Sequence, residues 1–340
     1  MTTSATVRVM SAEEIAARAG GETPFLHWPE RTSVFAEREM RLRQLARGHA
    51  MEDYLGFLAL IAHEQQAALK SFPSVPLPDA QAIDRAARAG LPPLPAADWP
   101  RDPAWRDAAR AMARALSAQA PTGARAVLER LAAEDDVYFE RQADALLHGL
   151  GTGLDLATAP VVGAALQVYW THLLLATRAL HQEQGQPFGR IDEETGCPCC
   201  GSRPTASITR SAGESLGQRY LHCSLCNLQW HMVRIKCPHC LSIKSLAYQS
   251  LTAAGGDGDS AAATAKVQAE TCDDCGSYLK IMHTDRDPFV DPVADDVASL
   301  TLDLLVAETG KERHGVNFML LFGDPGGVPP PDHPPPEGRP

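Results

Sequence analysis

Apolar residues in roughly the first 190 positions recur with the period of helices. They sit among Ala, Leu, Arg and Glu, with Pro and Gly at the joints and no alternating strand pattern. The pattern predicts helices over 33–48, 51–70, 79–89, 103–118, 121–147 and 155–182, and so an all-helical domain over residues 1–190. Ser11 and Glu14 have capping-box spacing and predict a short helix running to Arg18. Asp102 before Pro103 predicts an N-cap followed by proline at the first helical position. The helix after Asp155 is apolar on nearly every side, as expected for the centre of a bundle. Gln167, Thr171, His172 and Arg178 interrupt its most apolar stretch where a membrane span would need hydrocarbon, so a buried core helix is predicted.

After residue 190 the pattern changes. All nine cysteines fall between 197 and 275, and eight of them form Cys-x-x-Cys pairs: Cys197 with Cys200, Cys223 with Cys226, Cys237 with Cys240, and Cys272 with Cys275. Such a turn presents two thiolates on one side of a tight knuckle, and two facing knuckles supply four sulfurs around one ion. Four knuckles therefore predict two metal sites. A disulfide framework needs an oxidising compartment, and a thioredoxin-like site needs one pair at a strand-to-helix turn; four tandem pairs match neither.

An internal repeat supports pairing in sequence order. "CPCCGSRPTASIT" and "CPHCLSIKSLAYQSL" each set a knuckle before a strand-like run, and "CSLCNLQWHMVRI" and "CDDCGSYLKIMH" do the same before aromatic and β-branched runs. Two tandem rubredoxin-like or zinc-ribbon modules follow, over 191–235 and 236–290. Cys197, Cys200, Cys223 and Cys226 would form the first site, and Cys237, Cys240, Cys272 and Cys275 the second; a cross-braced exchange of knuckles is the alternative. Cys199 is then a spare thiol, Gly201 supplies a positive-φ turn, and His222, His231 and His239 are read as surface residues. Sulfur-only coordination suits iron and zinc alike. A closed four-thiolate site has no open position at which to activate water.

"DPFVDPVADDVASLTLDLLVAE" predicts a C-terminal helix, placed at 291–310, with Asp291 as cap, Pro292 at the first position, and Asp295 and Asp296 near the positive end of the dipole. Val293, Val297, Leu300 and Leu304 would form its apolar stripe. The Pro/Gly-rich stretch 323–340 reads as a disordered tail, "AAGGDGDSAAATAK" (253–266) as a flexible excursion, and the proline-rich 71–78 and 90–100 as stiff interhelical connectors. Arg38, Arg41, Arg43 and Arg47, interleaved with Glu37 and Glu39, read as a solvated helix face with intrahelical pairs.

Composition narrows the function classes. With 340 residues, 44% of them hydrophobic, the chain can bury an ordinary core and divide into two or three domains. The amino terminus lacks the charged and apolar regions of a secretory signal, so a cytoplasmic protein is expected. Net charge is -11, and residues 197–283 carry eight Lys and Arg against six Asp and Glu, a surplus that eight thiolates and two divalent ions turn negative. The cysteine-rich region thus lacks the basic field that nucleic-acid binding requires. Rubredoxin-like electron transfer is chemically open to a four-thiolate iron but leaves the large helical half without a purpose.

The order "CPxCG", "RYLHCSLCNLQWHMVRIKCPHC", "ETCDDCGSYLKIMH" and "DPFVDPVADDVASLTLDLLV", covering about 190–308, resembles the formate dehydrogenase accessory protein (FdhE) family. The resemblance implies a non-enzymatic cytoplasmic assembly factor with a helical domain and two rubredoxin-like modules. Its partner would be the catalytic subunit of a respiratory formate dehydrogenase, recognised before export together with its twin-arginine signal peptide. It also implies that the eight paired cysteines are metal ligands, with iron in cells and zinc after aerobic handling. The chain departs from the family at "CPCCG", where Cys199 occupies the middle position and leaves open which thiols the first site uses.

Overall fold

The computed structural model describes residues 23–183, 185–210, 217–251, 262 and 264–321. Helices α1 (Val34–Ala46), α2 (Glu52–Lys70), α3 (Ala80–Arg88), α4 (Ala104–Ser117), α5 (Thr122–Ala133), α6 (Asp136–His148) and α7 (Ala159–His181) make up the amino-terminal half. Helix α7 packs against α2, α4 and α6, and Val161 to Leu174 are buried along it, which is why its sequence is apolar all round. It is long and apolar enough to cross a membrane, but 83% of its most apolar window is buried inside the protein, as in a core helix. Asp102 Oδ1 accepts from the Ala104 amide at the start of α4. The single helix expected over 121–147 is two, because the backbone turns extended at Glu134 and the Asp135 carboxylate caps α6 by accepting from the Tyr138 amide.

Strands β1 (Leu26–His27), β2 (Pro204–Thr209), β3 (Arg219–Cys223), β4 (Gln229–His231), β5 (Leu246–Gln249), β6 (Val267–Cys272), β7 (Ser277–His283) and β8 (Glu312–Arg313) form one sheet in the order β1-β4-β3-β2-β7-β6-β5, with β8 also on β7. The two cysteine-rich repeats are joined where β2 runs parallel to β7, Ser207 opposite Ile281 and Thr209 opposite His283. Strand β7 is buried along its whole length, so it shows no alternation of polar and apolar residues. Arg219 on β3 and Glu270 on β6 add a buried ion pair at 2.7 Å between the repeats.

The carboxyl-terminal helix is divided into α8 (Ala294–Ala298) and α9 (Leu300–Glu308). The buried Lys280 ammonium donates to the carbonyls of Asp296 and Ser299 and to the Ser299 hydroxyl, taking acceptors that a continuous helix would use. The break re-phases the apolar stripe: Val293 and Val297 stay buried, but Leu302 and Val306 then face the sheet while Leu304 is exposed. Asp291 does cap α8, accepting from the amides of Val293 and Ala294. Asp295 and Asp296 lie in the first turn of α8, as expected, and they are also buried ion-pair partners. Asp295 meets Arg41, and Asp296 meets Lys280 and Arg313.

That pairing corrects the reading of the arginine cluster on α1. Arg43 pairs with Glu39 in the expected intrahelical manner, but Arg38 and Arg41 are buried and reach Asp291, Asp295 and Asp287 across the chain. Charge spacing along one helix does not reveal that a second acidic element lies against it. The predicted helix at 11–18, the tail at 323–340 and most of the 253–266 excursion lie outside the described residues.

Candidate metal centres

Each knuckle is built in the same way. The residue after its second cysteine has positive φ: Gly201 (73°), Asn227 (61°), Leu241 (63°) and Gly276 (72°). At Gly201, Leu241 and Gly276 the amide closes the turn onto the carbonyl of the first cysteine. Amides also point at sulfur: Leu225 and Cys226 donate to Cys223 Sγ, and His239 donates to Cys237 Sγ, each at 3.4 Å. Such dipoles favour thiolate over thiol. Glycine meets the left-handed requirement without strain and asparagine tolerates it, whereas Leu241 is an uncommon occupant.

The thiols gather in sequence order, not cross-braced. Cys197, Cys200, Cys223 and Cys226 form one group, and Cys237, Cys240, Cys272 and Cys275 the other, with all ligand atoms in each group within 4.8 Å of one another. In the first group the close sulfur pairs are 3.5 Å (Cys197 to Cys226 and Cys200 to Cys223) and 3.8 Å (Cys200 to Cys226). In the second they are 3.9 Å (Cys237 to Cys275) and 3.7 Å (Cys240 to Cys272). A tetrahedron with metal–sulfur bonds of about 2.3 Å has edges of about 3.8 Å, whereas disulfide sulfurs lie about 2.05 Å apart. Both groups therefore fit a closed four-sulfur ion.

Electrostatics lead to the same donor chemistry. Burial pushes the Cys197 and Cys226 thiols well above their ordinary range. At Cys200 burial is outweighed by hydrogen bonds from Cys197, Cys199, Cys223 and Cys226, which hold it well below. In the second group burial raises Cys237 to about 12, while Cys275 is held at about 6 by hydrogen bonds from the Ser277 amide and hydroxyl, Cys240 and His239 that outweigh its burial. One sulfur in each group is thus the favoured thiolate, accepting hydrogen bonds from its neighbours, and ionisation of all four calls for a cation.

The two groups differ in their surroundings. All four cysteines of the first are buried and belong to the main core with Leu225, Leu228 and Trp230. The connector at 90–96 lies on its first knuckle, the amides of Leu94 and Ala96 donating to the carbonyls of Cys199 and Cys200 at 3.0 and 2.9 Å. Helix α7 lies against its second knuckle: Gln167 donates to the Ser224 carbonyl, and Asn227 donates to the Thr171 hydroxyl, both at 2.8 Å. Two of the polar residues that interrupt the apolar helix, Gln167 and Thr171, are therefore its contacts to the knuckle, while His172 meets Arg31 and Arg178 lies over the Trp28 ring. In the second group Cys240 is exposed and Cys275 half-buried.

A match to family models accounts for nearly all of the described chain. The model described as "FdhE, N-terminal" matches residues 23–187, "FdhE, central domain" matches 196–234, and "FdhE, C-terminal domain" matches 235–320. The chain belongs to the FdhE family. An FdhE homolog of Pseudomonas aeruginosa is 40% identical over 300 residues, 88% of this chain and 94% of the relative. One from Klebsiella pneumoniae is 35% identical over 325 residues, 94% of this chain and 99% of the relative. The crystal structure of the FdhE protein from Pseudomonas aeruginosa superposes with a TM-score of 0.73 at 38% identity, covering 88% of this chain and 100% of that one. Membership of the FdhE family supports a role as a formate dehydrogenase accessory protein.

Within this FdhE-family chain Cys199 stays outside the four-thiol group, buried, with its thiol in hydrogen-bonding reach of Cys200 and Cys226 and raised well above its ordinary range by burial. The three histidines also lie outside both groups, but not all are at the surface. His222 is buried beside Arg38 and Gln229, its pKa lowered to about 3 chiefly by burial; His231 is half-buried and His239 exposed. The connector at 90–96 carries no compositional sign of its contact with the first knuckle, since it is made through backbone amides.

Proposed function

We propose that this FdhE-family protein is a cytoplasmic assembly factor that binds the catalytic subunit of a respiratory formate dehydrogenase, together with its twin-arginine signal peptide, before that subunit is exported. Cys197, Cys200, Cys223 and Cys226 hold one iron or zinc ion, and Cys237, Cys240, Cys272 and Cys275 hold a second. The observation that carries this reading is the pair of closed four-thiol clusters fixed in one continuous sheet, the first wedged against the helical half. Four sulfurs leave no position at which substrate or water could bind an ion, so the clusters suit a scaffold better than an active site. A structural zinc contributes on the order of 10–16 kcal/mol in small zinc-finger peptides, a scale that would let each ion fix its two knuckles against each other.

The test is retention of the full-length protein by a tagged catalytic subunit, with and without its signal peptide. Retention by the complete subunit that weakens on removal of the peptide is the expected result. Retention by neither form rejects the assembly-factor reading.

A further inference from the structure

Every sulfur of the first cluster is buried, and its knuckles are covered by the 90–96 connector and α7. Replacing a ligand there requires the helical half to lift off the sheet. The second cluster presents Cys240 to solvent. An incoming donor can reach Cys240 without any rearrangement of the core. The turn between Cys272 and Ser277 is also the anchor of the segment that follows α9. Lys311 donates to the Cys272 carbonyl at 3.2 Å and pairs with Asp273, the Glu312 amide donates to the Gly276 carbonyl at 2.9 Å, and β8 pairs with β7 at Ser277 and Tyr278. His314 stacks on His239 of the other knuckle, ring centroids 4.5 Å apart, and the Ser277 hydroxyl meets His239 Nδ1 at 2.8 Å.

Resting on the reading of both clusters as metal sites, we infer that they do different work: the first is sealed, and the second is an exchangeable centre for a thiophilic divalent cation, whose occupancy holds residues 311–314 on the sheet. Exchange is ligand substitution without electron transfer. A bond from an incoming donor to the ion forms as the Cys240 sulfur bond breaks, and the freed thiolate takes a proton from water.

The experiment uses the full-length protein loaded with zinc(II) and counted by elemental analysis. It is challenged with a chromogenic chelator, while alkylation by iodoacetamide is mapped by mass spectrometry and backbone opening is followed by deuterium uptake. One ion is expected to leave about a hundredfold faster than the other, because the sealed site releases only through a wider opening. Cys237, Cys240, Cys272 and Cys275 are alkylated in that fast phase, uptake rises over 272–278 and 311–314, and 159–181 stays protected. The full-length Cys240→Ser variant loses the fast phase and keeps the slow one. Two ions leaving at one rate, alkylation of Cys197 to Cys226 first, or unchanged uptake at 311–314 after the fast phase overturns the inference. Fewer than two zinc ions at the outset overturns the metal reading beneath it.

Discussion

Arg41→Met removes the guanidinium that carries Asp295. In the native protein Arg41 donates to both Asp295 oxygens, at 2.6 and 2.9 Å, and the Asp295 side chain is only 2% exposed. Its second partner, Asp287, is better placed to survive the loss, since it keeps some solvent contact and the Lys266 ammonium at 3.3 Å. Breaking a buried pair by removing one partner costs about 3–5 kcal/mol, most of it for the charge left behind. Burial already raises the Asp295 pKa against the opposing pull of Arg41, and without Arg41 it rises further. A carboxyl raised in the folded state binds more protons folded than unfolded, so the stability it supports is lost as pH rises through the folded value. The Arg41→Met deficit is therefore largest at pH 7 and shrinks toward pH 5, by up to about 1.4 kcal/mol for each pH unit over which only the folded carboxyl is protonated. The double variant Arg41→Met with Asp295→Leu should recover most of the loss. Urea unfolding of the zinc-loaded proteins at pH 7 and pH 5, followed by circular dichroism, measures all of these. A deficit under about 1 kcal/mol for the single variant, or one independent of pH, refutes the buried-charge argument.

Three further outcomes follow from other contacts. A Cβ at Gly163 would lie 2.6 Å from the Phe318 Cβ, so Gly163→Val should cost about 1–3 kcal/mol in urea unfolding and be relieved in part by Phe318→Ala; additive losses from the two changes would contradict a direct clash. His172 is lowered to about 4 by burial and by Arg31, so the stability it confers is complete above its unfolded value near 6.5 and is lost as pH falls toward 4. His172→Gln should flatten the melting temperature between pH 6.5 and 4.5, and an unchanged slope would remove this histidine from the acid transition. Gln167→Leu leaves the buried Ser224 carbonyl without its 2.8 Å donor, costing about 1–3 kcal/mol and speeding release of the slower zinc ion; unaltered release would mean that this contact does not support the knuckle.

The extent to which the sequence disclosed all this depended on where each determinant lies. The four Cys-x-x-Cys turns are local, so their spacing marked the four pairs; the internal repeat favoured the grouping now seen but left a cross-braced exchange open until the structure placed the thiols. The amino-terminal helices were legible from their apolar period, except at Glu134 and Asp135, where a cap interrupts an otherwise continuous pattern. The break at Ser299 was hidden because Lys280, nearly twenty residues upstream, causes it. Arg38 and Arg41 were misread as solvated for the same reason: their partners lie some 250 positions away, and nothing in the spacing of charges on one helix tells a surface from an interface. Short strands such as β1 and β8, two residues each, have no period to detect and exist only because a neighbouring edge accepts them.

The parallel pairing of β2 with β7 sets how the molecule can be divided. Cutting the chain between Thr209 and Val267 would strip one repeat of the neighbour that completes its hydrogen bonding and leave an adhesive border on each fragment. Neither piece should stay soluble and correctly shaped alone, whatever its complement of ions. Twofold in its lettering, the cysteine-rich region shares one sheet and is expected to fold as one body rather than two.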